Sequence, residues 1–169
     1  LLGENRALAT LGLAELRRTK RPGLLALLEA AHTTSTALDH ESIPFVIAPR
    51  LNAAGRMDTA DLSFDLLTAP DMDTARELAA QVEQLNQQRR ELTGTLVEEG
   101  VEQASQQVEG ESLIFLASEE FEPGVSGLVA GRLVERFYRP AIVVSIDGDI
   151  ARARGRSIPE FNLGEALAW

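Results

Sequence analysis

Cysteine is absent from the 169 residues, which excludes disulfide frameworks, thiolate zinc sites and cysteine nucleophiles. Histidine is nearly absent. His32 and His40 lie eight residues apart in a polar stretch, outside any HExxH-type spacing, and are expected to be solvated loop residues. No Gly-x-Ser-x-Gly sequence occurs, so nucleophilic catalysis has little to work with. Long apolar runs are missing too. Leu113 to Ala117 falls far short of the roughly 20 residues of a membrane helix. No basic segment followed by an apolar one opens the chain, so no secretory leader is expected. Positive charge is the minority, with 16 Lys and Arg against 26 Asp and Glu and a net charge of −10. By that sum alone the chain is an unusual partner for nucleic acid. What is present is ordinary globular composition, 44% hydrophobic and 25% charged, over a length that suits one domain or two small ones. The chain starts without Met and stops directly after the helix-like Gly164-Glu165-Ala166-Leu167, so it is expected to be a piece of a longer protein.

The periodicity predicts a helical first part followed by an α/β part. Residues 5–18 carry Leu8, Leu11 and Leu16 and end in Arg17-Arg18, a cationic last turn. Pro22-Gly23 breaks that pattern, and Leu24, Leu25, Leu27 and Leu28 read as a short buried helix. Residues 33–42 read as a polar loop, and 61–68 as another short helix closed by Ala69-Pro70. From Thr74 a long helix is predicted to about residue 107. Thr74-Ala75-Arg76-Glu77 fits a capping box at its start, and Leu78, Val82, Leu85, Leu92 and Leu96 recur at helical steps. Such a helix spans about 45 Å, a length suited to connecting two lobes. Residues 108–111 read as a boundary. Beyond it, Leu113 to Ala117 reads as a buried strand, Ser126 to Phe137 as a helix, and Ala141 to Ile146 and Ile150 to Arg154 as strands. Strand, helix, strand is a βαβ unit.

Two groups of polar residues carry possible chemistry. The acidic groups are Asp58, Asp61 and Asp65, then Asp71 and Asp73, then Glu119, Glu120 and Glu122. Asp61 and Asp65 share a helix face at i, i+4, an arrangement that serves either as a cation contact or as a solvated face. Arginine is more informative. Arg50 and Arg56 flank Asn52 and Gly55 in a stretch too apolar and too rich in small residues for an ordinary surface turn. Arg152, Arg154 and Arg156 alternate on a strand, so all three project from one face at a spacing of ~6–7 Å. That spacing is close to the separation of successive phosphates in an extended single strand, and guanidinium groups bind phosphate through two donors at once. Residues 132–157 hold six arginines against three carboxylates within an acidic chain. The row is therefore either an anion-binding face or an exposed strand paired with Asp147 and Asp149. Gly124-Val125-Ser126-Gly127 opens the helix after the first strand and reads either as a phosphate cradle or as a packing turn.

The same residues carry a resemblance. Pro49-Arg50-Leu51-Asn52-Ala53-Ala54-Gly55-Arg56-Met57 resembles a characteristic segment of the RecJ-type single-strand DNA exonucleases, in the DHH phosphoesterase superfamily. Leu2-Gly3-Glu4-Asn5-Arg6, Leu85-Asn86 with Arg89-Arg90, and Pro123 through Ala130 extend it. So do Tyr138-Arg139-Pro140 and Gly155-Arg156-Ser157-Ile158, until nearly the whole chain is covered. The resemblance implies that residues 1–70 end a DHH catalytic domain, 71–108 form a connecting helix and 109–169 open an α/β DHH-associated domain. It implies a 5′-to-3′ exonuclease of single-stranded DNA, cytoplasmic, acting in repair and recombination, with a single-strand-binding protein as a partner and no membrane association. It also implies a centre of two Mn²⁺ or Mg²⁺ ions whose ligands lie upstream of Leu1, leaving no catalytic or metal-binding residue in this chain and an isolated piece without activity. The residues implied to touch the phosphates are Arg50, Asn52, Arg56, Arg154, Arg156 and Ser157.

The chain departs from the family pattern in three places. Phe121-Glu122 stands where an aromatic-His pair is common, Arg154-Gly155-Arg156-Ser157 where Ser-Gly-Arg-Ser is frequent, and Gly164 where a His occurs. Two other functions compete. A DHH phosphoesterase of short oligonucleotides or cyclic dinucleotides usually carries a Gly-Gly-Gly-His motif, and Arg-Gly-Arg-Ser stands in that region here. A catalytically inactive replication scaffold would differ only in the upstream ligands.

Overall fold

Apolar spacing and stop residues resolve into helices first and a small sheet second. The computed structural model describes residues 2–57, 59–107 and 110–168. Val108 and Glu109 of the expected boundary at 108–111, and the acidic Asp58, lie outside them. The chain divides into two units, Leu1–Gln88 and Arg89–Trp169, and the division falls within one helix.

The first unit is helical. It contains α1 (Gly3–Arg17), α2 (Pro22–Ala30), α3 (Ala48–Met57), α4 (Asp61–Thr68) and the first half of α5 (Met72–Gln107). Leu27, Leu28, Leu38, Leu66 and Val82 are buried together with Ala26, Ala75 and Ala79. Leu13 and Leu16 of α1 pack against this core, whereas Leu8 and Leu11 of the expected apolar stripe are exposed. Gly23 is where α2 meets α4, because a β-carbon there would overlap the Leu66 carbonyl. Ile43–Ile47 forms a π-helical turn that runs directly into α3, with Pro49 tolerated near the start of that helix.

The long helix begins two residues earlier than predicted, and its cap is different. The Thr74 amide donates to Asp71 Oδ1 at 2.8 Å, so Asp71 caps the first turn and Thr74 lies inside it. The same bonds from Thr74 hold the Asp71 carboxyl below the usual aspartate range.

The second unit contains the rest of α5, then β1 (Ile114–Ser118), α6 (Ser126–Phe137), β2 (Ala141–Asp147), β3 (Ile150–Arg156) and the short α7 (Leu163–Leu167). β1 and β2 are parallel, with Ile114 opposite Ala141 and Ser118 opposite Ser145, and α6 makes the crossover. β2 and β3 form a hairpin closed at Asp147 and Ile150, with Gly148 at a φ of 55° in the turn. The sheet order is β1-β2-β3. Ile114, Leu116, Val129, Leu133 and Val143 fill the core. Gly100 of α5 lets that helix approach α6, since a β-carbon there would lie 3.3 Å from Val129 Cγ1. β1 is buried on one face only: Phe115 is 52% exposed, so the expectation of a fully buried strand is corrected to an alternating one. α6 stops at Tyr138, whose left-handed conformation lets its amide bond Val134 O before Arg139-Pro140 ends the turn.

Candidate nucleic-acid interface

In the first unit, the segment of Arg50 to Arg56 is helical, and helical geometry sorts its polar side chains. Asn52 and Arg56 stand four residues apart, share a face and are exposed. Arg50 points elsewhere. Its Nε and Nη2 donate to Glu83 of α5, and its Nη1 donates to Val46 O at 2.8 Å. The Arg50 side chain is only 13% exposed. Ala53 and Ala54 are fully buried beneath the helix, which explains the small residues in the motif. The Ser63 hydroxyl donates to Leu51 O at 2.8 Å and ties α4 to the same segment. The structure thus brings Asn52 and Arg56 together on the surface and uses Arg50 to fasten α3 to α5.

In the second unit, the register decides where the arginine row points. Arg156, Arg154 and Arg152 stand opposite Ala141, Val143 and Ser145, the residues of β2 that face α6. The row therefore lies on the helix-covered side of the sheet and extends beyond the apolar core. All three arginines are exposed, and among the described residues none has a carboxylate within ion-pair distance. Pairing with Asp147 and Asp149 does not occur. Arg154 and Arg156 each turn one Nη1 back onto the strand, to Ala153 O at 3.2 Å and Gly155 O at 2.8 Å.

The first turn of α6 borders this row. A β-carbon at Gly127 would lie 3.4 Å from Arg156 Nη2 and 3.8 Å from Arg154 Cβ, so both arginines approach the helix start. The Ser126 hydroxyl is buried and donates to Glu122 O at 2.6 Å, which stabilises the turn. The Ser126 and Val129 amides find backbone acceptors, whereas Gly127 N–H has no backbone acceptor among the described residues. A helix start carries partial positive charge, so cations beside it are mutually unfavourable until an anion joins them. Ser157 is held close by, its hydroxyl donating to Phe161 O at 2.6 Å and leaving its lone pairs as acceptors. On the opposite sheet face, Leu163 of α7 covers Gly155, where a β-carbon would come within 2.6 Å of Leu163 Cδ2.

The described residues do not fit a divalent metal centre: no three His, Asp or Glu side chains among them come together to hold an ion. Asp61 and Asp65 lie on one exposed face of α4 without a third ligand.

No family model matches the chain. Individual relatives do. It is 44% identical over 167 residues to the "Single-stranded-DNA-specific exonuclease RecJ" of Bacillus subtilis, which covers 98% of this chain and 21% of that protein. Its fold matches a crystal structure of RecJ from Thermus thermophilus in complex with Mn²⁺, with a TM-score of 0.85 and 33% identity over 98% of this chain and 24% of that one. The Mg²⁺ complex from the same organism matches with the same TM-score at 31% identity, over 99% of this chain and 26% of that one. Sequence and fold together define an α/β segment shared with these proteins. The chain is homologous to these RecJ proteins over nearly its whole length and spans less than a third of theirs.

Proposed function

We propose that the full-length protein is a metal-dependent 5′-to-3′ exonuclease of single-stranded DNA, acting in repair and recombination, and that this segment supplies groups that hold the strand. The observation that carries the proposal is the row of Arg152, Arg154 and Arg156, which has no carboxylate partner among the described residues and ends at the start of α6. In a chain of net charge −10, such a row is a local site that favours an anion, and phosphates along an extended strand match its period of ~6–7 Å. Arg154 and Arg156 grip phosphate oxygens through their forks and the Gly127 amide adds a donor, while Ser157 joins them only if its hydroxyl turns from Phe161 O. In the first unit, Asn52 and Arg56 present a second polar face toward phosphate, held in place by Arg50.

The names of the relatives support a single-stranded substrate, and the metal complexes among the structural neighbours support Mn²⁺ or Mg²⁺ in the full-length protein. The metal ligands are proposed to lie outside this chain. No helix among the described residues is long and apolar enough to cross a membrane. A cytoplasmic location and a single-strand-binding protein as partner belong to the same proposal. The test is to incubate full-length protein and Mn²⁺ with strands labelled at either end, alongside the matching duplex. Release of nucleotides from the 5′ end of the single strand alone supports the reading. Equal cleavage of duplex, or exclusive release from the 3′ end, contradicts it.

A further inference from the structure

A second group of arginines gathers on the other side of α6's sequence, along its contact with α5. Within the second unit, Arg89, Arg90, Thr93, Gly94 and Val97 of α5 and Arg132 of α6 line an open pocket of about 310 Å³. Three of these six side chains are guanidinium groups and none is a carboxylate. Arg89, Arg90, Thr93, Gly94 and Val97 follow the spacing of one helical face, so the clustering is a consequence of sequence period. Gly94 leaves the floor open, with no heavy atom within 4 Å of a β-carbon built there. The Thr93 hydroxyl donates to Arg89 O at 2.6 Å, so its proton stays within the helix and the donors facing the pocket are those of the arginines.

Two of the three charges, those of Arg90 and Arg132, are weakly neutralised among the described residues. Arg90 is exposed and has no ion pair among the described residues. Arg132 pairs with Glu135 at 2.8 Å, three residues along its own helix, with both side chains about two-thirds exposed. A surface pair of that kind restrains a guanidinium only weakly. Like charges brought together from two helices repel, and an oxyanion between them relieves the repulsion through charge-assisted bonds.

We infer that Arg89, Arg90 and Arg132 form a second phosphate subsite, which engages a phosphate of the bound single strand beyond those held by the β3 row. The inference rests on the strand-binding reading above. The pocket's shape favours a phosphate carried on a chain over a free one: it is open to solvent, and a single phosphate group fills only part of it. No enclosing wall retains a small free anion.

The experiment compares two double variants of the full-length protein, Arg90→Ala/Arg132→Ala and Arg154→Ala/Arg156→Ala, by titrating a labelled oligothymidylate at several salt concentrations. Each lost phosphate contact lowers the log–log salt slope by ~0.7 for a single strand. The Arg90/Arg132 variant is expected to lose about 0.7 from the slope, one phosphate contact, and at least about tenfold in affinity at low salt, with unchanged circular dichroism. An Arg90→Lys/Arg132→Lys variant, which keeps the charge, is expected to retain most of the slope and lose part of the affinity. Inorganic pyrophosphate is expected to compete with the strand only at far higher concentration, as an isolated anion lacks the tethered neighbours. An unchanged slope in the Arg90/Arg132 variant, with a reduced slope in the Arg154/Arg156 variant, overturns the subsite and leaves the strand reading standing. Absence of strand binding by the unaltered protein overturns the strand reading itself. Pyrophosphate competing as well as an oligothymidylate assigns the pocket to free anions and overturns the inference.

Discussion

The Arg156 guanidinium lies against the first turn of α6 at Gly127, so closely that a β-carbon on Gly127 would sit 3.4 Å from Nη2. A cation at the positive end of a helix is unfavourable by about 0.3–1 kcal/mol, and here no carboxylate among the described residues offsets it. An added methyl group occupies the space between the helix start and the guanidinium. Gly127→Ala is therefore expected to weaken single-strand binding at least about threefold while leaving stability within about 0.5 kcal/mol, since Ala suits a helix better than Gly. Binding isotherms and thermal unfolding on the same preparations check this. Equal affinity in the variant removes Gly127 from the interface.

The two arginines of the first unit are expected to separate. Arg50 is committed to Glu83 and Val46 O in a half-buried setting, so Arg50→Lys costs about 1–3 kcal/mol of stability. Arg56 is exposed beside Asn52, so Arg56→Lys costs less stability than Arg50→Lys and lowers single-turnover cleavage by the full-length protein roughly tenfold, about 1.4 kcal/mol of barrier. The reverse pattern, with Arg56 stabilising and Arg50 kinetic, contradicts the division of roles.

Close packing of α2 on α4 gives a purely structural prediction. A β-carbon at Gly23 overlaps the Leu66 carbonyl and comes within 2.7 Å of its carbon, and both are backbone atoms that cannot swing aside. Gly23→Ala is expected to cost at least about 1–3 kcal/mol, visible as a lower denaturation midpoint. Gly131, where a β-carbon meets nothing within 4 Å, is the control, and Gly131→Ala is expected to be neutral or stabilising. Equal midpoints for the two variants would contradict the packing described.

Asp71 predicts an acid limb. Its carboxyl is lowered by the Thr74 bonds, so the stability it lends is complete above the ordinary aspartate range and is lost as pH falls through the lowered value. Asn caps comparably without titrating. Asp71→Asn is expected to match the unaltered protein near neutrality and to show a shallower fall in melting temperature between about pH 5 and pH 2. Parallel curves over that range would show that the cap does not titrate.

Much of this architecture was legible because it follows from local rules. The periods of Leu78 to Leu96 and of Ser126 to Phe137 describe amphipathic helices, and the βαβ unit follows from strand-helix-strand order. The arginine row was visible for the same reason: a period of two on a strand fixes a common face. The partner of Arg50 was not legible, because Glu83 is 33 residues away and nothing local marks it. Asp71 and Thr74 are both good capping types three residues apart, so the local sequence does not separate them, and the structure selects Asp71. Phe115 was expected inside because an apolar run does not reveal that only one face of its strand is covered.

The most direct measurement is the salt dependence of single-strand binding by the full-length protein with Arg154 and Arg156 both changed to Ala. If these side chains grip successive phosphates, the log–log slope falls by about 1.4, two contacts of ~0.7 each, and affinity falls evenly across sequences. A slope identical to that of the unaltered protein, with the fold intact by circular dichroism, would show that the row binds no phosphate and would contradict the account.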